Sequence, residues 1–207
     1  MPDLITVAVA YHSGYGHTAR QARAAADGAR SVPGVLAELH DVTSLTDELW
    51  ESLGRAEAII FGSPTYMGSQ SAAFQTFAEA SAKVWADMGW RDKVAAGFTN
   101  SAGVNGDKLN TLTSMALLAA QHGMTWVTLG LPPGWLYSAQ GRDDDLNRLG
   151  GFLGAMAQSP SDAGPDTAPS PADLRTAEHL GRRVAQTALR LASGRRALDG
   201  ALDGAAV

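Results

Sequence analysis

The sequence predicts an α/β fold with a parallel sheet covered by helices on both faces, and three observations carry that reading. Strand-like and helix-like segments alternate through the first two-thirds of the 207 residues, which leaves room for helical crossovers between parallel strands. The run Ala58-Ile59-Ile60-Phe61-Gly62 is short, apolar and bounded by turn formers, as a buried strand should be. Three of the apolar segments run directly into loops of small, polar and aromatic residues, at 11–18, 62–70 and 99–107.

In order, residues 4–10 form the first strand and 18–30 a helix with Ala22, Ala25, Ala26 and Ala29 along one side, small enough for close approach to the sheet. Residues 35–39 make a short second strand, and Leu49 and Leu53 follow Thr46 at helical spacing. After the strand at 58–62, residues 71–85 carry the helical stripe Phe74, Phe77, Ala78 and Ala82. Residues 94–98 are the fourth strand, 109–121 a helix and 126–131 the fifth strand. A last helix spans 172–191, and the glycine- and alanine-rich residues 193–207 read as a flexible tail, leaving 1–192 as one domain. The stretch 132–171 is long for a connection without clear elements, which suggests a lid or contact surface.

Composition excludes several classes. With no cysteine there are no disulfides, thiol nucleophiles or thiolate-ligated metals. Sixteen basic and 21 acidic side chains give a formal charge of -5, with no electrostatic reason to expect nucleic acid. No apolar run is long enough for a membrane span, and the N-terminal apolar run reads as a strand, so a cytoplasmic protein is expected. The histidines are scattered, with neither HExxH nor a Cys/His cluster, and Asp143-Asp144-Asp145 reads as a solvated turn, so no metal is expected. Trp85, Trp90, Trp135 and Tyr137 offer more aromatic surface than a small monomer exposes, which predicts an oligomer.

Ligands of open α/β sheets collect at the carboxyl ends of the strands, where the three loops converge. In YHSGYGHT, Gly14 and Gly16 let backbone amides turn toward an anion, Ser13 and Thr18 add hydroxyls, and His17 and Thr18 open a helix whose free amides favour phosphate. The loop matches neither GxxxxGK[ST] nor GxGxxG, so a cradle of neutral donors for a bound monophosphate is the better reading, beside that of a capped turn. In the second loop Pro64 stiffens the backbone, while Thr65, Tyr66, Met67 and Gly68 present surfaces against which a heteroaromatic ring would lie. In the third, Asn105-Gly106 favours a turn and Asp107 suits a helix cap, but Thr99, Asn100 and Ser101 have no evident structural duty.

The segments YHSGYGHT, FGSPTYMG, FTNSAGVNGD and QHGMTWVTLG resemble, in order across residues 5–131, the tryptophan-repressor-binding-protein type of NAD(P)H:quinone oxidoreductases. The resemblance implies a flavodoxin-like three-layer fold with a five-stranded parallel sheet of order 2-1-3-4-5, FMN as cofactor and a homotetramer. It also implies a quinone-like small molecule as partner. Carried over, Ser13, Gly14, Tyr15, Gly16, His17 and Thr18 hold the FMN phosphate, with Tyr15 also near the nicotinamide nucleotide. Pro64, Thr65, Tyr66, Met67 and Gly68 line the isoalloxazine, and Thr99, Asn100, Ser101, Ala102, Gly103, Val104 and Asn105 wrap its pyrimidine edge and ribityl chain. Trp85 stands beside the acceptor site and Gln121 on the flavin side.

Three departures stand out. Tyr66 replaces the family's arginine, the third loop lacks the glycine run and is one residue longer, and Gln121-His122 replaces a histidine pair. The mechanism implied is hydride transfer from NADPH or NADH to the flavin and two electrons onward to a quinone. His122 and Tyr15 are candidate proton donors, with Trp135 and Tyr137 as possible covers of the ring in their own or a neighbouring subunit. Two alternatives stay open: a flavodoxin-like one-electron carrier, and a flavin-dependent reductase of nitro, azo or flavin substrates.

Overall fold

The structure is a computed structural model that describes residues 4–205. Strand β1 (Ile5–Tyr11) leads into α1 (His17–Arg30), β2 (Val35–Asp41) and α2 (Asp47–Arg55). These are followed by β3 (Ala58–Tyr66), β4 (Ser69–Gln70), α3 (Ala72–Ala80) and α4 (Ala82–Ala86). Then come β5 (Val94–Ser101), α5 (Lys108–Gln121), β6 (Thr125–Trp126), β7 (Ala155–Gln158) and α6 (Pro171–Ala205). The main sheet runs β2-β1-β3-β5-β6, its pairs all parallel. With β4 set aside as a hairpin partner of β3, this is the expected order 2-1-3-4-5.

Alternation along each strand builds the two outer layers. Ile5, Val7, Val9, Ile60, Ala96 and Phe98 face a core shared with the alanines of α1 and with Ala177, Leu180 and Val184 of α6. Ala8, Ala10, Ile59 and Phe61 face the other way, onto Leu49, Leu53, Phe74, Phe77, Leu112 and Met115. Trp90 belongs to this second core and is fully buried, stacked with Trp50 and close to Phe61 and Phe77. It contributes nothing to the exposed aromatic surface expected of it, whereas Trp85 and Tyr137 are exposed.

The fifth strand is built differently from the expected 126–131. Thr125 and Trp126 pair with Val94 and Ala95 at the start of β5, and the chain then leaves the sheet. It returns as β7, where Ala155 to Gln158 pair with Phe98 to Ser101. One sheet position is thus filled by two short strands, and the residues between them form an excursion from its edge. A buried ion pair holds that excursion: Arg148 Nε and Asp173 Oδ1 lie 2.7 Å apart, with Asp173 in the first turn of α6. Asp173 Oδ2 also accepts from the amide of Gln158, so β7, the excursion and α6 are tied at one carboxylate.

Two further boundaries differ from expectation. The helix expected over 71–85 breaks at Ser81, the C-cap of α3 and N-cap of α4, and its hydroxyl donates to the carbonyl of Ala78. The last helix does not stop at Leu191 but continues through the expected tail to Ala205.

Helices α1 and α6 pack closely through glycines. A Cβ at Gly28 would collide with the carbonyl of Glu178, and one at Gly181 with the carbonyl of Ala25. Backbone carbonyls cannot swing aside, so Gly181→Ala should destabilise the protein by about 1–3 kcal/mol through overpacking. Urea denaturation measures this; an unchanged midpoint would mean that the two helices are not held at this separation.

Candidate functional site

An open cavity of about 790 Å³ lies at the carboxyl edge of the sheet. Tyr15, His17 and Thr18 from the first loop, Pro64 to Met67 from the end of β3, and Asn100 to Ala102 from the end of β5 line three of its sides. Ser159, Pro160, Ser161, Ala163, Gly164 and Pro165 form the fourth.

The first loop is a helix entry held from behind. Gly16, the N-cap of α1, has φ of 89°, a left-handed conformation that a side chain would strain. Ser13 Oγ accepts from the amides of Gly16 and Ala19, both at 3.1 Å. Among the described residues no protein acceptor takes the amides of Tyr15, His17 or Thr18, so these remain available to an anion at the positive end of α1. The ring of His17 is used structurally: its Nε2 donates to the carbonyl of Ala163 at 2.9 Å. Arg20 donates to the carbonyls of Pro165 and Ala168. Both side chains fasten the fourth wall to α1.

The second loop is a strand and a tight hairpin. β3 continues to Tyr66, and Met67 and Gly68 form a two-residue turn, Tyr66 pairing with Ser69 across it. Both turn residues have positive φ, 49° and 81°, as such turns demand, and Asn110 Nδ2 fastens the carbonyl of Gly68. Pro64 and Thr65 are buried in the cavity floor, while the side chain of Met67 is fully exposed. Tyr66 packs its hydroxyl where a Cβ on Gly14 would lie, and meets Tyr15 edge-on with ring centroids 6.2 Å apart. Burial, and then neighbouring Tyr15, raise the pKa of Tyr66, so its hydroxyl keeps its proton at neutral pH.

The end of β5 accounts for the residues that had no evident duty. Thr99 is fully buried beneath the cavity, where Thr65 Oγ1 lies 2.8 Å from both Thr99 and Thr111. Asn100 Oδ1 accepts from Ser159 Oγ at 2.9 Å, which leaves the amide nitrogen of Asn100 as a donor at the cavity surface. Ser101 donates to the carbonyl of Gly103. Asp107 makes no side-chain cap, contrary to expectation; it adopts φ of 53°. Gly103, Val104 and Asn105 do not line the cavity.

Three expected residues lie elsewhere. Gln121 and His122 end α5 next to β6, at the amino edge of the sheet, and Trp85 lies on α4, so none of them lines the cavity. His122 is buried with its ring centroid 4.4 Å from that of Trp90. Ser81 spends its proton on Ala78, so His122 Nε2 is the donor in their 2.9 Å contact. Burial lowers the pKa of His122, consistent with a neutral core imidazole and not a proton donor to the cavity. Trp135 and Tyr137 do not line the cavity of their own chain; the Arg148 guanidinium lies 5.8 Å from the Trp135 ring centroid.

The fourth wall was missed, although its signal is present. Residues 155–158 and then SPSDAGP repeat the pattern of the other three loops, a short apolar strand followed by small and polar residues.

The family model of the NADPH-dependent FMN reductases matches residues 16–130. The chain belongs to that family. A NAD(P)H dehydrogenase (quinone) from Archaeoglobus fulgidus is 31% identical over 89% of this chain and 98% of its own length. Flavodoxin FldP from Pseudomonas aeruginosa is 47% identical over 86% of this chain and 94% of its own length. The crystal structure of a flavodoxin, WrbA-like protein from Agrobacterium tumefaciens superposes with a TM-score of 0.70 at 43% identity, covering 90% of this chain and 98% of that one.

As an NADPH-dependent FMN reductase family member, the chain is an oxidoreductase with FMN and NAD(P)H as its redox pair. Its residues fit FMN: unpartnered amides open α1, Gly14 and Gly16 let Tyr66 and Pro165 of the cavity lining close in on the first loop, and Asn100 offers a free donor beside a floor of buried hydroxyls. Among the described residues no helix is long and apolar enough to cross a membrane.

Loss of the Ser13 hydroxyl unties the amides of Gly16 and Ala19 at the entry of α1. Ser13→Ala should weaken FMN binding by about 1–3 kcal/mol while leaving riboflavin, which lacks the phosphate, nearly unaffected. Calorimetric titration of both flavins tests this; equal losses would place the phosphate elsewhere.

Proposed function

We propose that this protein transfers two electrons from NADPH or NADH, through bound FMN, to a quinone or a similar planar acceptor. The observation that carries the reading is the convergence of a phosphate-type helix entry and an apolar, tyrosine-framed cavity at one sheet edge. FMN would supply the hydride-accepting ring, and the protein's part is to hold and orient the reactants. In this reading the first loop holds the phosphate. Pro64, Thr65, Tyr66 and Met67 flank the ring, while Asn100 and Ser101 meet its polar edge. Tyr15 and Tyr66 frame the mouth and give a flat acceptor aromatic faces to lie against. Tyr15, exposed there, is the remaining proton-donor candidate of the two in the sequence, since His122 lies in the core. The NAD(P)H dehydrogenase (quinone) relative supports the choice of acceptor.

A second reading, a flavodoxin-like one-electron carrier, is favoured by the 47% identity with flavodoxin FldP. Anaerobic NADPH or NADH should bleach the visible band of the FMN-loaded protein in one rapid phase, and benzoquinone should restore it. A band that neither nucleotide bleaches within minutes, although dithionite does, would assign the carrier role instead.

We further propose a cytoplasmic homotetramer, supported by the exposed Tyr15, Met67, Trp85 and Tyr137. Sedimentation equilibrium at micromolar protein should give about four times the chain mass of 21.5 kDa. A mass near that of one chain would show that these side chains face solvent.

A further inference from the structure

Lys108 is the first residue of α5 and is completely buried. Among the described residues no carboxylate lies within ion-pair distance of its ammonium. Instead it donates to three successive carbonyls: Gly103 at 2.5 Å, Val104 at 3.1 Å and Asn105 at 3.3 Å. Gln158 Nε2 takes the preceding carbonyl, that of Ala102, at 3.1 Å. Four consecutive carbonyls of the third loop are therefore held by side chains. Among the described residues no protein acceptor takes the amides of Ala102 to Gly106. Burying an ammonium is costly unless it is fully hydrogen-bonded, and a solvated surface turn needs no such group. Nothing in the phosphate cradle or the tyrosine-framed mouth uses this lysine.

We propose that Lys108 is a positioning residue for the flavin ring: by drawing the carbonyls of residues 103–105 inward it fixes the loop behind Ala102 at the cavity wall, and its buried charge favours the reduced, electron-rich ring. The inference rests on the FMN reading above. Ala102 lines the cavity and the next residue, Gly103, receives the ammonium, so the charge sits one peptide behind the cavity wall. Burial lowers the pKa of Lys108 to about 8, Asp173 opposing that shift and Arg148 adding to it. The side chain is therefore mostly charged at pH 7. Arg20 and Arg148 are spent on the scaffold, so Lys108 is the cation most closely tied to this loop.

Lys108→Met removes the charge and the three bonds while keeping an unbranched side chain. Titration of the variant should show FMN and riboflavin weakened by the same factor, about tenfold, in contrast to the FMN-only loss of Ser13→Ala. The midpoint potential of the bound flavin should fall by about 30 mV, the equivalent of a tenfold weaker preference for the two-electron-reduced ring. A purely structural lysine would leave that potential unchanged, and an unchanged potential in a folded variant overturns the proposal. Should the variant fail to fold, hydrogen exchange on the native chain decides: FMN should slow exchange at the amide of Ala102, the residue of this loop that lines the cavity. Binding of FMN without that protection overturns the role of Lys108 alone. Failure of the native chain to bind either flavin overturns the FMN reading itself, and the inference with it.

Discussion

The ring of Phe98 lies across β3 at Gly62, in the space that a Cβ at that position would need. Gly62 also pairs with Tyr11 on its other side, so this contact locks the register of three central strands together. A slip of one residue would drive the ring into a side chain and turn each strand's core face outward. With the register fixed, Tyr11 stands beside Gly62 and Pro64 beside Asn100, and the chain segments leaving β1, β3 and β5 emerge at the same edge of the sheet. The cavity is a consequence of where those strands stop.

β7 adds the fourth segment to the same edge. Because the fifth sheet position is shared by two short strands, only its carboxyl half contributes to the site, bringing Ser159 against Asn100. The Arg148–Asp173 pair is nearly inaccessible to solvent, and a buried pair of this kind is a device for specificity more than for stability. Here it fixes where β7 leaves the sheet, since Asp173 also receives the amide of Gln158.

The cationic and imidazole side chains behind the cavity serve its frame. His17 and Arg20 hold the carbonyls of the fourth wall, and Lys108 those of the third loop. What the cavity is left with is neutral: backbone amides, the Asn100 amide and hydroxyls. Tyr66 fits this arrangement: it packs against Gly14 and Tyr15 and brings no fixed charge. An anion at this edge would meet the free amides and the positive end of α1.

Strand-like runs at 4–10, 58–62 and 94–98, the helix-length segments between them and the donor-rich loops after them are local patterns, so the parallel sheet and three sides of the cavity were legible in the sequence, while the strand order came from the family resemblance. Other features depend on residues far apart in the chain. Whether Trp90 is surface or core depends on Trp50 and Phe77, and His122 follows it inward. That the fifth strand is split depends on β5 accepting two partners at different heights. Lys108 looks like any charged residue at a helix start until the fold buries it and the loop before it closes over the ammonium. Pattern reports a residue's own preference; burial and pairing are set by neighbours that only the folded chain supplies, and they decided which polar groups face the cavity and which hold it open.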